Sequence, residues 1–252
     1  MSKIALITGA TSGIGEATAK VLAEEGYNLI LTGRRDNRLG KIANKLIDKY
    51  HIDCFPLCFD IRKIEEVEAA FYSLPENWRN IEILINNAGL AAGLDPIHEA
   101  EIEDWDQMID TNLKGLLYIT RIVTPIMIEK KSGVIINISS IAGKESYGNG
   151  SVYSATKHGV EAITKAMRVD LNPYGIKVGS VSPGAVETEF SVVRLKDKDA
   201  NKKVYAGFTP LQAKDIADTI QFMITRPAHV NIADIFILPT AQASATVFNK
   251  VE

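Results

Sequence analysis

Tyr153-x-x-x-Lys157 sets a phenol and an ammonium one helical turn apart on a shared face. Adding hydride to a carbonyl leaves an alkoxide that needs a proton, and the reverse reaction needs a base, so one group must both give and take that proton. A free phenol, with a pKa of about 10, is a poor base near neutrality. An ammonium at roughly 4 Å, in an effective dielectric of about 20, would favour the phenolate by on the order of 4 kcal/mol, or about three pKa units before burial opposes it. In a chain with eight tyrosines this spacing alone decides nothing. The residues around it carry the argument.

Gly9, Gly13 and Gly15, with Thr11, Ser12 and Ile14 between them, follow the first apolar run and open the first amphipathic stretch. Such a turn lets backbone approach a pyrophosphate that the helix N-terminus stabilises. The second run ends at Gly33-Arg34-Arg35, near where an NAD-specific protein carries an acidic residue for the adenosine ribose. Two guanidiniums there suit a 2′-phosphate, so Arg34 and Arg35 point to NADP(H); a solvated basic turn is the alternative.

These motifs need a scaffold. The chain has 252 residues, 46% hydrophobic and 23% charged, which suits one α/β domain spanning 1–252. Apolar runs at 4–8, 28–32, 54–59, 83–86, 134–138, 177–181 and 235–238 read as strands separated by amphipathic helices. Their continuous apolar character predicts a Rossmann-type, doubly wound parallel sheet of about seven strands with helices on both faces. Ligands then bind beyond the carboxyl ends of the strands, where each motif falls.

A net charge of −3 without basic clusters argues against nucleic acid or an anionic membrane as partner. The apolar runs are far too short to cross a bilayer and no cleavage-site pattern follows the first, so a soluble cytoplasmic protein is expected. Cys54 and Cys58 read as buried thiols on one strand face, with no second pair for zinc, and no metal is expected. The charge-rich segment 191–207 reads as a mobile, solvated excursion near the site.

Thr8-Gly9-x-x-x-Gly13-Ile14-Gly15, Asn86-Asn87-Ala88-Gly89, Ser140 and Tyr153-x-x-x-Lys157, in this order, resemble the short-chain dehydrogenase/reductase family over essentially the whole chain. The resemblance implies a catalytic group of Asn112, Ser140, Tyr153 and Lys157, with Asn112 helping to hold a water that links the lysine to solvent. Ser140 lies thirteen residues before Tyr153, which is the family spacing, and Ser139 is its rival. By the same resemblance Asp60 and Ile61 lie beside adenine, although Asp60 equally suits a helix cap. Asn87, Ala88, Gly89, Tyr153 and Lys157 line the cofactor, and Pro183, Gly184, Val186 and Thr188 hold the nicotinamide.

Residues 183–194 and 232–244 resemble the branch of NADP-dependent 3-hydroxy acid dehydrogenases that oxidise serine or allo-threonine. Ser140, Tyr153 and Arg194 are the expected substrate contacts, Arg194 meeting a carboxylate. Lys144, Glu145, Tyr147 and Asn149 are expected to line the pocket, and His158 to be structural or solvated. Small ketones, dicarbonyls or 3-oxoacyl compounds are alternative substrates, and a non-catalytic dinucleotide sensor is the alternative of another class. The resemblance implies a homotetramer formed through helices that include the Tyr153 helix.

Overall fold

A computed structural model describes residues 3–197, 199 and 204–251. Among them β1 (Ile4–Ile7), β2 (Asn28–Gly33), β3 (Cys54–Cys58), β4 (Ile81–Asn86), β5 (Gly133–Ile138), β6 (Ile176–Pro183) and β9 (Asp234–Ile237) form one parallel sheet. Its order is β3-β2-β1-β4-β5-β6-β9. All seven expected strands are present, and the order reverses between β1 and β4, where a crevice opens at the strands' carboxyl ends. A two-stranded parallel pair, β7 (Val186–Glu187) and β8 (Leu211–Gln212), was not legible in the sequence.

Strand alternation divides the core into two layers. Ala5, Ile7, Leu29, Leu31, Ile83 and Ile85 face one way, against α1 (Gly13–Glu24), α2 (Asp36–Tyr50) and α8 (Ala213–Ile224). Leu6, Ile30, Leu84, Ile135 and Val178 face the other, against α3 (Ile64–Tyr72), α5 (Leu116–Lys130) and α6 (Ser151–Leu171). Two shorter helices, α4 (Ile102–Ile109) and α7 (Phe190–Leu195), flank the crevice.

A buried polar chain fixes α6, and with it Tyr153, on this sheet. Asn86 and Asn137 are register partners on β4 and β5, and Asn86 Nδ2 donates to Asn137 Oδ1 at 2.9 Å and to Thr120 Oγ1 of α5 at 3.0 Å. Asn137 Nδ2 donates to Thr164 Oγ1 of α6 at 2.9 Å. The Asn86 and Asn137 amide nitrogens are both hydrogen-bonded, and slippage of the helix would break those bonds at about 1–3 kcal/mol for each buried group left unpaired.

The cysteines correct one expectation. Cys54 is partly buried and Cys58 is exposed, because β3 is an edge strand whose 54/56/58 face loses its cover toward the C-terminal end. Exposed Pro56 sits on that edge, where a missing N–H is tolerated. Among the described residues no helix is long and apolar enough to cross a membrane.

Candidate active site

The carboxyl ends of β1, β2, β4, β5 and β6 open into one cavity of about 730 Å³. The glycine turn forms one wall. Gly9 adopts φ +67°, a left-handed conformation that glycine takes without strain, and a Cβ on Gly15 would run into the Gly9 carbonyl oxygen and Asn87 Nδ2. Asn87 Nδ2 donates to the Thr8 carbonyl at 2.8 Å, while Thr8 Oγ1 accepts from the backbone N–H groups of Asn87 and Ala88, which ties the turn to the end of β4. Ser12, at the N-cap of α1, makes no side-chain capping bond, so first-turn amides remain available to an anion in the cavity.

Arg34 and Arg35 both reach this wall but differ in engagement. Arg35 donates to Thr11 Oγ1 at 2.8 and 3.0 Å, to Ser12 Oγ at 2.7 Å and to Glu189 at 2.9 Å, and Arg38 also pairs with Glu189 at 2.9 Å. The hydrogen bond from Arg35, joined by Arg38, holds the Glu189 carboxyl below its ordinary pKa. Arg34 is exposed and makes no hydrogen bond or ion pair among the described residues. Asp60 lines the cavity beside Ile61, but its oxygens accept from the Arg62 guanidinium and backbone N–H, which lowers its pKa. The helix that follows is capped by Lys63, so Asp60 is not its N-cap.

At the other end of the cavity Ser140, Tyr153 and Lys157 meet. Ser140 Oγ accepts from the Ala142 N–H at 3.1 Å and lies near enough to the Tyr153 phenol to favour its ionised form. Ser139 also lines the cavity, but its hydroxyl is buried without a partner, so Ser140 is the one set against Tyr153. Lys157 Nζ donates to the Ile138 carbonyl at 2.8 Å and stands 6.0 Å from the Tyr153 ring centroid.

The electrostatics reverse the expected sign. Burial pushes the Tyr153 phenol up to about 12, against the Ser140 hydrogen bond and the Arg194 charge. Burial also pulls Lys157 down to about 8, with the Glu161 carboxylate opposing. Burial, which the three-unit expectation set aside, decides the direction: both groups sit in a low-dielectric layer that disfavours either charge, and the Lys157 nitrogen is directed at a backbone carbonyl.

Asn112 lies in a π-helical stretch, Asp110–Gly115, between α4 and α5. Its amide accepts from Leu90 N–H at 2.9 Å and donates to the Leu90 carbonyl at 2.8 Å and to Thr156 Oγ1 at 3.0 Å. Asn112 and Gly15 do not line the cavity; the other expected site residues do. Asn112 is nonetheless close by, since a Cβ on Gly89 would meet Asn112 Oδ1 at 3.2 Å and Lys157 Nζ at 3.4 Å.

Arg194, on α7, leans over the reacting end. Its Nη1 donates to Tyr147 Oη at 2.9 Å and its Nε to the Gly93 carbonyl at 3.2 Å, while its guanidinium carbon lies 5.5 Å from the Tyr153 ring centroid. Its Nη2 is buried without a hydrogen-bond partner. So part of the segment 191–207 is a helix facing the cavity rather than a solvated excursion; residues 198 and 200–203, including Lys198, Lys202 and Lys203, lie outside the described residues.

Pro183, Gly184, Val186 and Thr188 close the wall next to it, with the Ala185 N–H donating to Gln242 Oε1 at 2.8 Å. Tyr147 and Asn149 line the cavity as expected. Lys144 and Glu145 do not: Lys144 pairs with Glu161 and Asp234, and Glu145 accepts from the Ala245 N–H. His158 is exposed, its Nδ1 2.9 Å from the Ser154 carbonyl. Leu94, Thr111, Glu189, Tyr205, Phe208 and Phe248 also line the cavity and escaped sequence reasoning. Glu189 pairs with Arg35 and Arg38, 154 and 151 residues away in sequence, so no local signal marked it.

A glycine turn, a tyrosine with a lysine one turn on, and a crevice at a topological switch point define a dinucleotide-dependent dehydrogenase architecture. The short chain dehydrogenase family model matches residues 3–199, and the chain belongs to that family. It is 43% identical over 245 residues to sulfoacetaldehyde reductase 2 of Chromohalobacter salexigens, covering 96% of each chain. It is 43% identical over 244 residues to the NADP-dependent 3-hydroxy acid dehydrogenase YdfG of Salmonella typhi, covering 96% of this chain and 97% of that one. The solved closed form of a serine dehydrogenase complexed with NADP+ superposes with a TM-score of 0.91 at 41% identity, over 99% of this chain and all of the other.

Proposed function

We propose that the protein is an NADP-dependent oxidoreductase that interconverts a small 3-hydroxy acid, of the serine, allo-threonine or 3-hydroxybutyrate type, with its 3-oxo acid or semialdehyde. The observation that carries the substrate class is Arg194, whose buried, unpartnered Nη2 is the one guanidinium nitrogen left to meet an anion beside Tyr153. The named relatives act on small molecules with an anionic group near the reacting carbon, a hydroxy acid in one case and a sulfonated aldehyde in another.

NADP fits the residues present. The α1 N-terminus and Gly9 turn suit the pyrophosphate, Arg34 and Arg35 with Thr11 suit the 2′-phosphate, and Asp60, Ile61 and Asn87 to Gly89 line the path between them. When bound, NADP supplies the hydride acceptor for oxidation and the donor for reduction. Tyr153 takes the substrate hydroxyl proton during oxidation and returns one during reduction. Ser140 donates a hydrogen bond to the carbonyl or nascent alkoxide oxygen. Lys157, when protonated, favours the phenolate, and Asn112 holds the Leu90 segment beside it. Arg194 fixes the substrate carboxylate so that only one end presents to Tyr153.

The test is NADP+ reduction followed at 340 nm with L-serine, allo-threonine, 3-hydroxybutyrate and a neutral secondary alcohol. Arg194→Ala should raise KM about 10- to 100-fold for the acids, the loss of one charge-assisted hydrogen-bonding group, and leave the neutral alcohol within a few-fold. Equal effects on acid and alcohol would remove the carboxylate assignment. The protein further assembles as a cytoplasmic homotetramer on this reading. Exposed Ile102, Ile109 and Leu117 on the α4–α5 surface and Val169 on α6 supply apolar area for it, and light scattering after gel filtration reads the mass.

A further inference from the structure

The proposed chemistry leaves one buried charged cluster unused. Tyr153, Lys157 and Glu161 occupy successive i, i+4, i+8 positions on one face of α6, and all three are buried. Glu161 is paired on both oxygens: its Oε2 lies 2.9 Å from Lys144 Nζ, and its Oε1 accepts from Ser182 Oγ at 2.8 Å. Lys144 also pairs with Asp234 at 2.6 Å, and Asp234 accepts from Ser180 Oγ at 2.9 Å. The line therefore runs from the reacting phenol along α6 to the open edge of the sheet at β9.

A buried carboxylate must be paired and hydrogen-bonded to persist, and this one is. Its position is what gives it a role beyond packing. Residues four apart on a helix have side chains on the order of 6 Å apart at their bases, so Glu161 is the carboxylate neighbour of Lys157, whose ammonium donates to the Ile138 carbonyl.

We propose that Glu161 is a positioning residue for the reaction: its carboxylate holds Lys157 in the ammonium form that Tyr153 needs, and Lys144 sets how strongly it does so. Lys144 and Asp234 act through Glu161 and touch neither substrate nor cofactor. Arg168, which donates to the Ala233 carbonyl at 3.0 Å, and Tyr147 and Arg194, at the far side of Tyr153, are the other charged or titratable groups around this line.

Burial alone drives Lys157 toward the neutral amine, and Glu161 opposes that. When a proton leaves the Tyr153–Lys157 pair, it comes from whichever group holds it less tightly. Removing the Glu161 charge makes Lys157 the better acid, so the first proton is lost at lower pH and the useful form, phenolate beside ammonium, becomes a smaller share of the product. Removing the Lys144 charge leaves Glu161 uncompensated and does the reverse. One unit charge at about 6 Å, in an effective dielectric between about 20 and about 80, moves a neighbour's titration by roughly half a unit to two units.

The inference rests on Tyr153 being the acid–base group, and the experiment separates the two. The pH dependence of kcat for NADP+ reduction is measured with wild type, Tyr153→Phe, Glu161→Gln, Glu161→Asp and Lys144→Gln, with folding checked by thermal melts. Glu161→Gln is expected to lower both the midpoint of the rising limb and its plateau, Glu161→Asp to restore most of both, and Lys144→Gln to raise the midpoint. A lower plateau with an unmoved midpoint in Glu161→Gln would make Glu161 merely structural and overturn the inference. If Glu161→Gln does not fold, Lys144→Gln decides: an upward midpoint supports the coupling, and an unchanged or lowered one overturns it. Full activity in Tyr153→Phe would instead remove the underlying reading, whatever the Glu161 variants do.

Discussion

The two walls of the cavity are built by different means. On the dinucleotide side, Gly9, Arg34, Asp60 and Asn87 each lie within two residues of a strand's end, so the sheet fixes their positions through backbone register. On the substrate side, Arg194, Tyr205, Phe208 and Phe248 come from short or irregular segments held by side chains. Tyr205 Oη donates to the Val186 carbonyl at 2.6 Å, and Phe208 stacks on Phe248 at 4.9 Å between centroids. A wall set by register is insensitive to which side chains surround it, while a wall set by side-chain contacts can be reshaped one residue at a time. The first suits an invariant cofactor and the second a variable substrate.

Tyr153 stands where the walls meet, and its loss should have the largest effect. Tyr153→Phe removes the proton carrier and keeps the ring that packs against Phe190 at 5.7 Å. The expected outcome is a fall in kcat of about 10²- to 10⁴-fold, with NADP+ affinity by calorimetry within a few-fold of wild type. Activity within tenfold of wild type would move the acid–base role elsewhere.

The next effect tests the register-built wall alone. The Arg34→Ala/Arg35→Ala double variant should weaken NADP+ binding about 10- to 100-fold and leave NAD+ nearly unchanged, the loss of charge-assisted contacts to one phosphate. Equal weakening of both cofactors would mean that the arginines shape the turn rather than read the phosphate. Arg35 is the residue to watch, because its bonds to Thr11 and Ser12 give it a structural use as well.

The same division explains what could be read from the chain. The seven strands and the motifs that follow them were legible because apolar runs and glycine turns are local patterns, and Tyr153 and Lys157 because one helix carries both. Glu189 and Gln242 were not, since their partners Arg35 and Ala185 lie far away in sequence and no period marks them. Cys58 was misread because a strand's pattern does not say whether it lies at the sheet edge. The sign of the Tyr153 shift was missed for a related reason: spacing along a helix gives proximity, while burial, which here outweighs it, depends on the surrounding layers.

A smaller effect is expected on the contact-built wall. Phe248→Ala removes one ring of the Phe208 stack, so KM for the preferred acid should rise a few-fold, with the NADP+ dissociation constant unchanged. A loss of cofactor affinity as large as the loss in KM would mean that the two walls are not independent.

The last prediction concerns stability at the seam between the walls. Lys157 titrates near 8 in the folded protein against an ordinary 10.5, so below about pH 8 both states hold the proton and the cost of a buried ammonium is fully felt. Between about 8 and 10.5 the unfolded chain binds more protons than the folded one, and stability rises with pH. Tyr153 works in the opposite sense, because from an ordinary 10.0 up to about 12 the folded protein keeps a proton that the unfolded chain has lost, and stability falls as pH rises through that window. Melting temperatures of wild type minus Lys157→Met should therefore climb from pH 8 to pH 10, and those of wild type minus Tyr153→Phe should decline above pH 10. A Lys157→Met protein that keeps the whole wild-type rise would place that titration on another group and show that the lysine reaches solvent, which would also weaken the case for a carboxylate holding its charge.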